Sequence, residues 1–223
     1  MNSFYLKLIA IITMLIDHTA AVLIPGDTML WLVMRCIGRL SFPIFVFLLV
    51  EGFYHTRDVQ KYMLRMGAFA LISEIPFDLA FYGKTLEFSH QNIFFTLFLG
   101  LLCLVLMKEA EKRYQKNLFA INVWNAVITL GISLAAIVLR TDYNFAGILL
   151  IVAFYLFRGS RLMCTLTLLL VSAFLIGGIQ VVAVLAIVPI FFYNGQRGKS
   201  IKYVFYIFYP VHLLLLALLN IYL

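Results

Sequence analysis

With 223 residues, 64% hydrophobic and only 12% charged, and a mean hydropathy of +1.03, the chain carries too little charge to coat a core in water, which excludes an ordinary soluble domain. Its formal net charge of +7 does not point to nucleic acid. The basic residues lie in the joints between apolar stretches, where the charge asymmetry of membrane topology accounts for them.

A bilayer core about 30 Å thick takes roughly 20 helical residues per crossing. The expected fold is therefore an all-α, polytopic transmembrane bundle, a single domain over 1–223, of about nine spans with eight as the alternative count. In chain order the spans read 4–24, 29–54, 60–83, 91–107, 120–139, 143–158, 161–176, 178–193 and 202–222. The first carries Asp17 and His18 inside its apolar run, which marks a first crossing rather than a cleavable signal. The stretch KEAEKRYQKN (108–117) mixes both signs and extends the fourth helix into water. Cys36, Cys103 and Cys164 sit singly in apolar segments, so neither a disulfide framework nor a metal site is expected.

Alternate joints hold Arg57, Lys61 and Arg65; Lys108, Lys112, Arg113 and Lys116; Arg158 and Arg161; and Arg197, Lys199 and Lys202. The remaining joints hold only Lys84 and Arg140. This places the N-terminus in the cytoplasm.

Charged residues at membrane depth cost at least about 2.5–3.5 kcal/mol each, so those present should face the bundle interior and have partners. With a rise of about 1.5 Å per residue, Asp17 and His18 lie roughly 10 Å below the outer end of their span, and Arg35 and Arg39 about 9 and 15 Å below it on the next. Glu74 and Asp78 repeat the same i, i+4 spacing on the third span, with the sign and depth to balance the arginines. Two readings stand: a functional cavity, or an ion-pair network that locks three helices. His212, in FYIFYPVHL, falls in the outer half too, behind Tyr206, Tyr209 and Pro210. Asn92 and Thr96, and Asp142, Tyr143 and Asn144, lie at outer helix ends, where they either cap helices or line an acceptor entrance. On the inner side Glu51, His55, Arg57 and Arg65 surround one joint, with contacts to lipid headgroups as the plain alternative.

Lys7 and His18, in LKLIAIITMLIDH, are eleven residues apart, three turns that return within about 20° of one face. This segment, with GRLSFPIFVFLLVEGFYHTRD, SEIPFDLAF, NIFFTLFLG, TDYNFAG and FYPVHL, resembles the TraX family of bacterial membrane proteins along nearly the whole chain. That family is named for an enzyme that N-acetylates a conjugative pilin subunit and is similar to wider membrane acyltransferases. The latter place a basic residue, usually arginine, eleven positions before a catalytic histidine, the pattern that Lys7 and His18 match.

The resemblance implies multi-pass residence in the bacterial cytoplasmic membrane. It also implies transfer of an acyl group from cytoplasmic acetyl-CoA or another acyl-CoA to an extracytoplasmic or membrane-embedded amine or hydroxyl, with pilin-like peptide, glycan and lipid as candidate acceptors. His18 would be the base, a role its ordinary pKa of about 6.5 suits. Asp17, Arg35, Arg39 and Glu74 would form the catalytic group, and Lys7, His55, Arg57 and Arg65 would hold the CoA phosphates. Asp78, Asn92, Thr96, Asp142, Tyr143, Tyr209 and His212 would line the acceptor cavity. Buried ionisable groups equally mark a secondary transporter or proton-coupled permease, and a noncatalytic assembly factor is the third reading.

Overall fold

The computed structural model describes residues 1–199 and 202–222; the Lys202 side chain, counted above with the last basic joint, lies outside the described residues. Helix α1 (Ser3–Leu23) begins where the Asn2 side chain accepts the Phe4 and Tyr5 N–H groups, donors that a first turn leaves open. The second expected span is interrupted. Helices α2 (Met29–Gly38) and α3 (Ser41–His55) are separated by Arg39 and Leu40, because the Pro43 ring has no N–H for the carbonyl four residues back, that of Arg39. The third expected span breaks in the same way. Helices α4 (Val59–Ile72) and α5 (Glu74–Tyr82) meet at Ser73, and Pro76 leaves the Ile72 carbonyl without its helical donor.

Helix α6 (Ile93–Arg113) runs on through most of the charged segment, and α7 (Leu118–Val138) and α8 (Asn144–Leu156) follow. Helix α9 (Arg161–Leu170) widens into a π turn (Val171–Ile176) and stops at Gly177 and Gly178, whose φ angles of 77° and 57° are left-handed. The chain resumes as a 3-10 helix (Gly178–Ala186) and a short α10 (Ile187–Phe191). The closing helix, α11 (Lys202–Tyr222), keeps Pro210 inside it.

Among the described residues, five helical stretches are long and apolar enough to cross a membrane: Ser3–Leu23, Met29–His55, Ile93–Arg113, Leu118–Val138 and Tyr203–Tyr222. The chain is a membrane protein. The other expected crossings are helical but differ from a simple span. The α4–α5 pair is broken and charged, and Asn144–Leu156, Arg161–Ile176 and Gly178–Phe191 have only 10–17 residues each. The 3-10 stretch partly offsets this shortness, since nine residues reach about 18 Å in that form against about 14 Å in an α-helix.

The core is centred on α6 and α8, where Leu101, Leu104, Met107, Ile148, Leu150, Ile151 and Phe154 are buried. Gly100 lets these helices approach, because a Cβ there would fall on the tip of Ile151. Helix α7 is peripheral: Ser133 and Ala136 are its buried residues. Helices α1 and α2 pack together, as do α5 and α11, so that α1, α5 and α11 enclose the polar end described next.

Candidate functional site

Asp17 is held between two arginines. Arg35 Nη1 donates to its Oδ2 at 2.6 Å and Arg39 Nη2 to its Oδ1 at 2.5 Å. Gly38 makes this possible, since a Cβ there would occupy the space of the Asp17 side chain. The break before Pro43 leaves Arg39 as the C-cap of α2. Arg39 is fully engaged, donating also from Nη1 to Gln180 Oε1 at 3.3 Å and from Nε to the Arg35 carbonyl at 3.3 Å. Arg35 is not: its Nε is buried without a partner. An orphaned donor of this kind is what a bound ligand would satisfy.

The neighbouring His18 is turned away from Asp17. Its Nδ1 lies 2.7 Å from His212 Nε2, and His212 Nδ1 lies 2.7 Å from the Phe208 carbonyl oxygen. Phe81 and Tyr209 meet the His18 ring edge-on, at centroid distances of 5.4 and 5.9 Å.

His18, Asp17, Arg35 and Arg39 line a cavity of about 300 Å³, with Phe42, Phe77, Phe81, His90, Asp142, Tyr143 and Tyr209 among its other walls. The turn that presents Asp142 and Tyr143 is bounded by left-handed residues, Arg140 and Asn144 (φ 54° and 52°), and is held by the Gln91 N–H on the Arg140 carbonyl. Tyr143 stacks on Phe42 with centroids 3.5 Å apart. At the rim His90 Nε2 lies 3.2 Å from Asp142 Oδ1. This bond raises the His90 pKa above its ordinary value against the opposing effect of partial burial.

The expected balance of Glu74 and Asp78 against the arginines is not made; Asp17 makes both ion pairs. The carboxylates of α5 instead fasten the segment before α6. Glu74 accepts from the Asn92 side chain and backbone N–H, and Asp78 Oδ2 accepts the Glu87 N–H at 2.8 Å. Asn92 also donates to the Ala70 carbonyl and caps α6, and Thr96 Oγ1 accepts the Tyr143 N–H at 3.4 Å. Glu74, Asp78, Asn92 and Thr96 thus stand behind the cavity wall, and His212 stands behind His18. The reason is rotational: depth along a helix is readable from residue number, whereas the direction a side chain takes depends on how the helices pack.

A second, larger cavity of about 870 Å³ opens at the other end of α1. It is lined by Lys7, His55, Arg57 and Arg65, the set expected to hold phosphates, together with Lys61 and Arg197, which the sequence placed in basic joints but not in that set. Five cations thus face two carboxylates, Glu51 and Asp58. Both carboxylates are engaged, Glu51 by Arg158 at 2.7 Å and Asp58 by Lys61 at 3.1 Å. The Arg65 Nε is buried without a partner. Met14, Phe45, Ile93 and Tyr209 line both cavities, so the two lie on either side of these largely apolar side chains.

Sequence reasoning missed His90 and Gln180 as well. Gln180 carried a signal, as the one amide in the apolar run 162–192 and two residues after a glycine pair. His90 carried none beyond its place before the α6 cap.

Comparison with known proteins agrees with the motifs. The chain is 30% identical to the "Probable fimbrial assembly protein FimC, serogroup H1" of Dichelobacter nodosus, an alignment that covers 97% of this chain and 94% of that protein. No solved structure matches. The model of the TraX protein family matches residues 3–220, nearly the whole chain from the start of α1 into the last turn of α11, and the chain belongs to the TraX family.

Proposed function

We propose that this protein transfers a short acyl group, acetyl first, from cytoplasmic acyl-CoA to an amine or hydroxyl presented from the opposite side of a bacterial cytoplasmic membrane. The observation that carries this reading is that two unlike cavities, a large basic one and a small one holding a histidine and two arginines, share the side chains of Met14, Phe45, Ile93 and Tyr209, which would part to form a neck between them. In this reading the N-terminus is cytoplasmic and the short helices complete about nine crossings.

The donor set of the basic cavity fits a polyphosphate ligand. Lys7, Arg57 and Arg65, with Lys61 and Arg197, would hold the phosphates, and the orphaned Arg65 Nε is a donor in search of an acceptor. Its volume lies within the range of small-molecule sites, about 300–1,000 Å³. The neck would admit the thin thioester arm, and the smaller cavity leaves room for only a short acyl chain beside an acceptor. There His18 would take the acceptor's proton, and Arg35, the arginine with an uncommitted donor, would stabilise charge on the thioester oxygen. The relative's name refers to fimbrial assembly, so the N-terminus of a pilin-like peptide is the first acceptor to try, before glycan or lipid hydroxyls.

The test is to incubate purified protein with labelled acetyl-CoA and such acceptors, comparing wild type with His18→Ala at matched folding. Label transfer that depends on His18 is the expected result. Its absence for every acceptor overturns the reading. Movement of a solute through the same neck without acyl transfer would favour the permease instead.

A further inference from the structure

We infer that His212 is a positioning residue that fixes His18 in the tautomer protonated at Nδ1, leaving Nε2 as the basic nitrogen; its catalytic part rests on the acyl transfer proposed above. The argument starts at the Phe208 carbonyl. A carbonyl oxygen only accepts, so His212 Nδ1, 2.7 Å away, carries a proton. In a neutral ring Nε2 is then bare, and it lies 2.7 Å from His18 Nδ1. His18 must supply the proton of that bond. Its own Nε2 is therefore the unprotonated nitrogen, on a side chain that lines the smaller cavity.

The opposite assignment would need a protonated His212 donating to His18. His212 is only 3% exposed, is flanked by Phe208 and Tyr209, and makes no contact with a carboxylate among the described residues. The charged side chains that line the cavity beside His18 are Asp17, Arg35, Arg39 and Asp142, of which Asp17 is committed to both arginines and Asp142 faces His90. A buried cation there would be unpaired.

The two imidazoles are nearly parallel, 5° apart, with centroids at 5.0 Å. The N···N distance is shorter than this by about a ring's width, so the bond runs edge to edge rather than between stacked faces. The series from His18 to His212 to a backbone carbonyl does what a carboxylate does for other catalytic histidines: it sets tautomer and orientation. It joins α1 to α11 across 194 positions of sequence.

In the reaction, His18 Nε2 accepts the proton of the acceptor N–H or O–H as the acceptor atom bonds to the thioester carbonyl carbon. The C–S bond then breaks, and the proton on Nε2 passes to the departing CoA sulfur. His18 returns to its starting tautomer. While Nε2 is protonated, the Nδ1–H of the cationic ring still donates to neutral His212.

Nitrogen NMR of protein labelled at histidine, in lipid nanodiscs, tests the assignment without any turnover. The expected spectrum shows His18 protonated at Nδ1 and bare at Nε2, and His212→Phe abolishes that preference. Activity tests the positioning role. His212→Phe, which keeps a ring but no acceptor, should lower kcat about 10- to 100-fold with KM for acyl-CoA unchanged, and His212→Gln, which restores an acceptor, should recover most of it. Equal kcat in the Phe and Gln variants overturns positioning, and His18 protonated at Nε2 in the wild type overturns the tautomer. The expected tautomer in a protein that transfers no acyl group overturns the enzyme reading and upholds the tautomer.

Discussion

The two cavities hold the same kinds of charge in opposite ways. In the smaller one a single carboxylate, Asp17, pairs with both Arg35 and Arg39 from inside the helix pair, with side chains only 9–21% exposed. In the larger one cations outnumber carboxylates, the carboxylates are engaged, and several of the lining residues sit on a joint. The first leaves one buried arginine nitrogen, Arg35 Nε, without a partner. The second keeps a surplus of positive charge beside water. In the proposed function the contrast is between a prebuilt reaction chamber and an electrostatic catch, and it can be attacked from either side.

The largest effect should come from Asp17→Asn. It leaves two largely buried guanidinium groups with no carboxylate in contact, and removing one partner of a buried pair costs about 3–5 kcal/mol. The unfolding midpoint in detergent should fall sharply, before any question of activity arises. A wild-type midpoint would mean that the arginines are solvated and that the chamber is not prebuilt.

A smaller effect, of another kind, should follow from Arg57→Gln combined with Arg65→Gln. Each removes a charged hydrogen-bond donor, a contact contributing about 1.5–3 kcal/mol, so CoA binding should weaken at least roughly tenfold while the unfolding midpoint stays near wild type. Titration of CoA into protein in nanodiscs reads the first, and a thermal melt reads the second. Unchanged Kd would remove the phosphate role from this cavity.

Much of this was legible in the sequence, and the limit is physical. Apolar runs located the helices, and residue number located Asp17, His18, Arg35 and Arg39 at one depth. The breaks at Arg39 and Ser73 follow from Pro43 and Pro76 by the missing N–H, although the spans were expected to be unbroken. Azimuth was not legible. Asp17, rather than Glu74 or Asp78, reaches the arginines because Gly38 lets α2 close on α1 at that point. No local pattern announces that His18 meets His212, because only the packing of the closing helix against the first brings them together. Gln180 reaches Arg39 from a 3-10 stretch where α-helical spacing misplaces side chains.

The smallest effect belongs to the rim, where the chamber is least sealed and the contrast between cavities fades. His90 bonds Asp142, stacks near Phe77 and faces Glu74, tying the segment before α6 to the turn before α8. Its folded pKa is raised, so the stabilisation is fully present below the unfolded value of about 6.5 and is lost as pH rises through the higher folded value. Both side chains are more than a third exposed, which screens the pair and keeps its contribution below about 1 kcal/mol. The unfolding midpoint of wild type should therefore exceed that of Asp142→Asn by a small margin in mildly acidic buffer, and the margin should close as the buffer becomes alkaline. A margin that widened with pH would mean that His90 is held neutral at the rim, and the rim would then belong with the sealed chamber rather than with the open catch.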